Sequence, residues 1–219
     1  MTTTTKFYTK NEEIANAATH GFGVLMAIVS GWYLINKAAE SEHNLAVFTV
    51  LVYLFGILFS YGSSTFYHAA PVGKRKALLR KFDHAAIYVH IAGTYTPFTL
   101  IALREYDWWG YGLFAFVWFV TIIGVILSFI RLKEHSHLET VCYVAMGACV
   151  IVAMKTLWTA LSAINPMIFF LLIGGGISFI VGAVCYSLHK ARYMHTLFHL
   201  FCLGGSIGHI LAICYLFDS

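Results

Sequence analysis

The stretch GYGLFAFVWFVTIIGVILSFI, residues 110–130, contains no charged side chain over twenty-one positions. A transmembrane helix needs about 20 consecutive, mostly apolar residues, so this stretch predicts a membrane span. Six further stretches of the 219-residue chain have a similar length and character. The seven predicted spans are residues 14–35, 45–67, 84–103, 110–130, 138–154, 167–188 and 195–217. The sequence therefore predicts an all-α fold, a polytopic bundle of seven transmembrane helices.

The composition supports a membrane protein and excludes other classes. Hydrophobic residues make up 59% of the chain and charged residues 11%, against roughly 45–50% and about 25% in soluble domains. A soluble enzyme, a disordered chain and a nucleic-acid-binding module all need far more polar surface. Seven spans of about 20 residues leave room only for short loops. We therefore predict a single transmembrane domain, residues 1–219, whose residues 1–13 form a polar tail.

The positions of the Lys and Arg residues predict the orientation of the bundle. Of the fourteen, eleven fall on one side of the predicted bundle and three on the other. The positive-inside rule then places the N-terminus in the cytoplasm and the C-terminus outside. The larger group is Lys6, Lys10, Lys74, Arg75, Lys76, Arg80, Lys81, Arg131, Lys133, Lys190 and Arg192, and the smaller is Lys37, Arg104 and Lys155.

Polar residues gather at one predicted depth, the cytoplasmic ends of the second, third and seventh spans. Ionisable residues inside a membrane are costly and by default mark functional sites. On the predicted topology, the second span ends at the cytoplasmic face of the membrane, and the third and seventh spans begin at that face. Residues far apart in sequence therefore share one depth. These residues are Ser64, His68, Asp83, His84, His195 and His199.

The spacing of the histidines suggests a metal site. His195 and His199 are four residues apart and therefore lie on one helix face, about 6 Å from each other, which allows two imidazoles to hold one metal. Adding His68 gives three nitrogen ligands, the set of a catalytic Zn²⁺ with a fourth position for water. Asp83 would then hold or deprotonate that water, and Ser64 would orient a ligand or form a hydrogen bond with the reacting group. The alternative is a polar cluster that fixes helix packing through interhelical hydrogen bonds.

Other polar residues in the spans leave alternatives open. Glu13, Asn16 and His20 share one face of the first span. They either support the metal site or a substrate, or they cap the helix and leave one buried, hydrogen-bonded histidine. His90 and His209 are predicted to be structural hydrogen-bonding groups rather than ligands. In the third span, Pro97 removes a backbone donor and predicts a break or kink near the middle of the helix.

Four motifs, in order, cover nearly the whole chain. The first span has E-x-x-N-x-x-x-H from residue 13, and the second ends in S-x-x-x-H from residue 64. The third opens with FDHAAIY at residues 82–88 and continues into AGTYTP, and the seventh has H-x-x-x-H followed by GGS-x-x-H, residues 195–209. With these motifs the chain resembles the bacterial haemolysin III family, a branch of the progestin and adipoQ receptor family, which is related to the alkaline ceramidases.

The resemblance implies a site and a class of function. It implies seven helices around an intramembrane zinc near the cytoplasmic face, with His68, His195 and His199 as ligands, Asp83 near the water and Ser64 close by. It also implies a multi-pass protein of the bacterial plasma membrane, with membrane lipid as substrate or ligand, acting in lipid homeostasis as a zinc-dependent lipid amide or ester hydrolase. A non-enzymatic lipid-state sensor or receptor with structural zinc is the alternative. A pore-forming cytolysin is a weaker one, because polar residues concentrate at one end of the spans.

Overall fold

A computed structural model describes residues 8–130, 137–188 and 191–218. Within these residues the fold is entirely helical, with no strand, which confirms the predicted all-α class. A π-helical segment, Phe98–Ala102, continues α3, and a 3-10 segment, Cys149–Ala153, joins α5 to α6. The helices are α1 (Lys10–Glu40), α2 (Ala46–Ala69), α3 (Lys74–Pro97), α4 (Trp109–Ile130), α5 (His137–Ala148), α6 (Met154–Ile164), α7 (Pro166–Ser187) and α8 (Met194–Leu216).

Seven helical units in the described part of the chain are long and apolar enough to cross a membrane, as predicted. The fifth unit, Glu139–Ile164, combines α5, the 3-10 segment and α6, so it continues past Lys155. Large apolar side chains cover the outside of the bundle; Trp32 is 76% exposed and Phe119 is 63% exposed. Such a surface is suited to lipid and would be costly in water.

Local sequence explains where several helices begin. Thr9 and Glu12 form a reciprocal capping box at the start of α1, in which each side chain binds the other residue's backbone N–H. Asn165 caps α7 by accepting a hydrogen bond from the backbone N–H of Met167, and Pro166 occupies the first helical position.

The third helix differs from the prediction. It begins at Lys74 rather than at His84, so the predicted basic loop, residues 74–81, forms the first turns of α3. The α-helix does end at Pro97, where a break was predicted, but the whole helical unit is Lys74–Ala102, so this break lies near its end rather than near its middle. After Pro97 the helix changes type: the N–H of Leu103 donates to the carbonyl of Phe98, five residues earlier, over 2.9 Å.

Small residues allow close helix packing near the polar region. A Cβ added at Gly56 of α2 would lie 2.9 Å from the carbonyl oxygen of Val89 on α3. One added at Gly175 of α7 would lie 2.5 Å from His209 Cδ2 and 2.8 Å from the carbonyl oxygen of Gly205 on α8. Such contacts are typical of membrane helix interfaces, and they hold α2 against α3 and α7 against α8.

Several predictions fall outside the described residues or stay predictions. The basic residues Lys6, Arg131, Lys133 and Lys190, used to predict orientation, lie outside the described residues. The side of the membrane on which each terminus lies stays a prediction, as does the single domain. At the end of the bundle opposite the histidines, Lys37 of α1 forms an ion pair with Asp218, which ties the end of the first helix to the C-terminal residues.

Candidate metal centre

Three histidines from two helices converge at one end of the bundle. His68 lies in the last turn of α2, and His195 and His199 lie in the first two turns of α8. The Nε2 atom of His195 is 3.1 Å from that of His68 and 3.0 Å from that of His199. One ligand atom from each residue lies within 4.8 Å of the other two. The structure therefore brings together the three predicted ligands in an arrangement that can hold a metal ion.

The opposite ring nitrogens of two histidines each lie beside a group that can only accept a hydrogen bond. His68 Nδ1 lies 2.7 Å from Glu13 Oε2, and His199 Nδ1 lies 3.1 Å from the carbonyl oxygen of Asn16. The hydroxyl of Thr19 is also 3.1 Å from His199 Nδ1, and it donates its own hydrogen to the carbonyl of Ala15 over 2.9 Å. Because a carboxylate and a carbonyl have no proton to give, Nδ1 carries the hydrogen in both rings. The Nε2 atoms of His68 and His199 therefore direct lone pairs into the cluster.

This assignment of hydrogens tests whether a cation fits the site. His195 can donate one proton from Nε2, and it faces two lone pairs, those of His68 and His199. Hydrogen bonds among the three rings therefore cannot satisfy all of them. A divalent cation held by the three nitrogens removes the repulsion, and the donors on Nδ1 orient the rings as is usual around metal-bound imidazoles. The residues present fit a metal ion.

Glu13 connects this cluster to the basic start of α3. Its Oε1 atom is 2.9 Å from Nζ of Lys76, while its Oε2 accepts from His68. Lys76 also donates to the carbonyl oxygens of Tyr67 and Ala70, over 2.9 and 3.1 Å, at the end of α2. Lys76, which the sequence analysis used to predict orientation, therefore holds the carboxylate beside a candidate ligand.

The face of α1 with Asn16 and His20 packs against α8. Asn16 is fully buried, and its Oδ1 accepts a hydrogen bond of 2.5 Å from Thr196 Oγ1. The ring of His20 stacks on that of His199, with centroids 3.4 Å apart and planes 7° from parallel. Of the two alternatives for this face, support of the histidine cluster is the one that the geometry favours. The helix-capping role belongs to Thr9 with Glu12.

A cavity of about 410 Å³ begins at the histidine cluster and extends into the bundle. Its wall includes His195 and His199, and also the other two residues predicted for the site, Ser64 and Asp83. Ser64 is buried and Asp83 is half-buried. The next residue, His84, also lines the cavity, and its Nδ1 lies 2.8 Å from Glu139 Oε2 on α5. Five of the six predicted residues therefore line one space, and the sixth, His68, adjoins it through His195. His84 is bound to a helix that the prediction did not include.

Tyr8 is a residue of the site that the sequence reasoning missed. Its ring centroid lies 4.9 Å from that of His195 and 5.7 Å from that of His68, and it lines the cavity. Burial raises the pKa of the Tyr8 phenol, and the nearby Asp83 carboxyl adds to the effect. The capping-box pattern T-x-x-E from Thr9 was the available signal, because it starts the helix at residue 10 and places Tyr8 directly before it.

Glu12 fixes the position of this N-terminal segment. Its Oε2 accepts from the backbone N–H of Thr9 over 2.9 Å, and its Oε1 accepts from the backbone N–H of Tyr193 over 3.0 Å. Tyr193 precedes α8 by one residue and adopts a left-handed conformation, with φ of 61°. The start of α1 is therefore bound to the start of α8, which holds Tyr8 over His195.

The two deeper histidines behave differently from each other. His209 Nε2 donates to the carbonyl oxygen of Leu172 over 3.1 Å, which agrees with the predicted structural role. For His90, the Nε2 atom is buried and has no hydrogen-bond partner among the described residues. Both side chains also line the cavity.

Comparison with known proteins covers nearly the whole chain. The sequence profile of a family described as Haemolysin-III related matches residues 8–210. The chain is 39% identical over 217 residues to Hemolysin-3 of Bacillus cereus, which covers 99% of this chain and 95% of that protein. It is 38% identical over 210 residues to a Hemolysin-3 homolog of Bacillus subtilis (strain 168), covering 96% and 95%. The region matched by the profile contains every cavity residue discussed above, from Tyr8 to His209.

Proposed function

Because the chain belongs to the haemolysin III-related family of multi-pass membrane proteins, we propose that His68, His195 and His199 hold Zn²⁺ and that this centre hydrolyses an amide or ester bond of a membrane lipid. The observation that carries the proposal is the meeting of three imidazole Nε2 atoms at one end of a cavity inside the bundle, whose wall includes two of the three, His195 and His199. The proposed setting is the inner leaflet of the bacterial plasma membrane, with the N-terminus in the cytoplasm and a role in lipid homeostasis.

Zinc is the metal that this donor set favours for hydrolysis. Three nitrogen ligands with an open fourth position are typical of catalytic zinc sites. A bound zinc ion would supply Lewis acidity towards a carbonyl oxygen and a nucleophilic water near neutral pH.

Two residues of the cavity wall and Glu13, beside His68, would perform the other steps. The carboxylate of Asp83 would accept the proton from the attacking water. The hydroxyl of Ser64 would donate a hydrogen bond to the carbonyl oxygen of the lipid. Glu13 would hold the Nδ1 hydrogen of His68, so that the ring keeps its lone pair directed at the metal.

The walls of the cavity support a lipid as the substrate. Away from the histidines they consist mostly of apolar side chains, which is the usual lining of a site for an apolar ligand. Some of these wall residues also face outwards: Ile177 of α7 is 55% exposed and Ile151 in the fifth span is 63% exposed. The fifth span and α7 therefore form the side through which a lipid would enter from the bilayer.

The test combines metal analysis with a turnover assay. Purified wild type should contain about one zinc per chain, three histidines forming one site, and should hydrolyse ceramide or another acyl amide or ester lipid in detergent. His195→Ala should lose both zinc and turnover. His43→Ala, at an exposed histidine outside the cavity, is the matched control. Equal turnover by the wild type and a zinc-free His195→Ala protein would contradict the proposal.

A non-enzymatic lipid sensor is the second candidate, and the fifth span favours it. This span changes helix type at Cys149–Ala153, between α5 and α6. Its polar contacts to α3 include His84 with Glu139 and the Tyr95 hydroxyl with the carbonyl of Gly147, 2.7 Å away. A helix attached in this way can shift when a lipid fills the cavity. Full zinc occupancy, together with no turnover of any lipid tested, would favour this function.

A further inference from the structure

The cavity extends from the histidine cluster through most of the thickness of the bundle. Its wall follows α3 from Asp83 to Phe98, and it follows α7 from Tyr186 back to Leu172. Fifteen and fourteen residues of helix correspond to about 22 and 21 Å along the two axes. One leaflet of the hydrocarbon core is about 15 Å deep, so the cavity crosses the middle of the bilayer.

Apolar side chains of three helical elements close the end of the cavity away from the histidines. Leu103 follows the π-helical segment, Leu113 lies near the start of α4 and Leu157 lies on α6, and all three line the cavity. They belong to one hydrophobic core cluster and are 1%, 5% and 1% exposed. Because so little of each side chain is accessible, the cavity ends at these residues instead of opening to the opposite face of the membrane.

The π-helical segment and α4 pack closely where this end wall forms. A Cβ added at Gly110 of α4 would lie 2.8 Å from the carbonyl oxygen of Thr99 and 2.7 Å from that of Leu103. Leu113 lies three residues after Gly110 and therefore on the same face of α4. The hydroxyl of Thr99, which also lines the cavity, donates its hydrogen to a backbone carbonyl one turn earlier. The end wall is therefore apolar and closely packed, and π-helical segments of this kind are frequent at functional sites.

We propose that Leu103, Leu113 and Leu157 set the length of the acyl chain that the cavity accepts. The inference rests on the proposed function in one respect, because the polar head of the lipid is taken to lie at the histidine cluster. With the head held at one end and the wall closed at the other, a shorter chain leaves apolar volume empty. A longer chain has to displace side chains that are already well packed. The protein therefore selects lipids by the length of one acyl chain.

The experiment measures the affinity of the purified full-length protein for saturated fatty acids of ten to twenty-four carbons. Each acid displaces a fluorescent fatty acid at a fixed molar ratio to detergent. Wild type should bind best at one length, about sixteen to twenty carbons for a chain somewhat longer than one leaflet. A chain four carbons longer should bind about tenfold more weakly, because it overpacks a closed wall. In Leu113→Ala and in Leu157→Ala the best length should increase by about two carbons, since each substitution removes three carbon atoms from the wall.

Leu161 provides a matched control one turn after Leu157 on α6. It is equally buried and belongs to the same core cluster, but it is not among the described residues that line the cavity. Leu161→Ala should therefore lose similar stability and keep the chain-length preference of the wild type. Should the alanine variants not fold, Leu157→Val and Leu161→Val repeat the comparison, with an expected shift of about one carbon in Leu157→Val alone.

The outcomes separate this inference from the proposed hydrolase. It is overturned by a wild type whose affinity does not depend on chain length, whatever its turnover. It is also overturned if Leu157→Ala leaves the best length unchanged, or if Leu161→Ala shifts it equally. A preference that moves only in the variants of the wall, in a protein that contains zinc but hydrolyses no lipid, supports the inference and contradicts only the hydrolase.

Discussion

The Nδ1 atom of His68 lies 2.7 Å from Oε2 of Glu13, so a residue of the first helix orients a candidate ligand on the second. Glu13 in turn contacts Lys76 at the start of the third helix. Three helices that are separate in sequence therefore set the direction of one imidazole ring. A metal centre built in this way depends on residues that bind no metal themselves, and several of the predictions below test that dependence.

Replacing Glu13 should weaken metal binding without removing a ligand. In Glu13→Ala, His68 loses the acceptor that fixes its tautomer, and the affinity for zinc should fall about 10- to 100-fold. Glu13→Gln keeps a carbonyl acceptor, so its affinity for zinc should fall less. Affinity is measured by competition with a chromophoric chelator, with Glu40→Ala, at the exposed end of the same helix, as the control. An unchanged affinity in Glu13→Ala would show that the contact with His68 has no influence on the ion.

Replacing Asp83 should separate chemistry from metal binding. Asp83→Asn keeps the size of the side chain but cannot accept a proton from water, so turnover should drop by about 10²–10⁴-fold. Its zinc content should stay at the level of the wild type, because Asp83 is not one of the three residues that converge. A turnover assay and elemental analysis of the same preparation measure the activity and the zinc content. Loss of zinc in Asp83→Asn would instead assign Asp83 as a ligand.

Tyr8 should slow the release of the metal by covering the cluster. Tyr8→Ala removes the ring that contacts His195 and His68, so a chelator should extract zinc about three- to tenfold faster, the value of one aromatic contact. Tyr8→Phe keeps the ring and should behave like the wild type. Stopped-flow measurement of extraction by excess chelator compares the three proteins. Equal rates for Tyr8→Ala and the wild type would mean that the N-terminal segment does not cover the site.

Two neighbouring glycines on α7 provide a matched test of helix packing. A Cβ at Gly175 would lie 2.5 Å from His209 Cδ2, whereas one at Gly174 has no contact within 4 Å. Gly175→Ala should therefore destabilise the protein by about 1–3 kcal/mol. Gly174→Ala should be neutral or gain up to about 1 kcal/mol from better helix propensity. Thermal unfolding in detergent measures the difference, and equal stabilities would show that α7 and α8 are less closely packed than described.

Removal of the metal should lower stability, and zinc should restore it. A ligand present at a thousand times its dissociation constant stabilises the folded state by about 4 kcal/mol, so a chelator should lower the Tm of the wild type measurably. His68→Ala should have a lower Tm at the start and should not respond to chelator or zinc. A Tm of the wild type that is unchanged by complete removal of zinc would indicate that the three histidines do not bind it.

The pattern of apolar residues along the chain was sufficient to predict the membrane spans. Membrane thickness fixes the length of a spanning helix, so uninterrupted apolar runs such as residues 110–130 predict the number of helices and their order. The same patterns missed the true start of α3, because the basic residues 74–81 form helical turns that contribute nothing to an apolar run. They also placed the break at Pro97 too near the middle of that helix.

The sequence also predicted the depth of the polar residues in the membrane, and this depth identified which candidate residues belong to one site. Once the spans are known, the end of the second span and the start of the seventh (α8) must lie at one level, which predicted that His68, His195 and His199 approach each other. The spacing of Glu13, Asn16 and His20 placed them on one face of α1 but left the role of that face open.

Tertiary structure alone decided which side chains meet. The rotation of each helix about its axis and the distance between neighbouring axes depend on contacts between side chains of different helices, and no periodicity in one segment encodes them. For that reason the contacts of Glu13 with His68 and Lys76, the position of Tyr8 over His195, and the place of Leu113 and Leu157 on the cavity wall emerge only when the bundle is assembled.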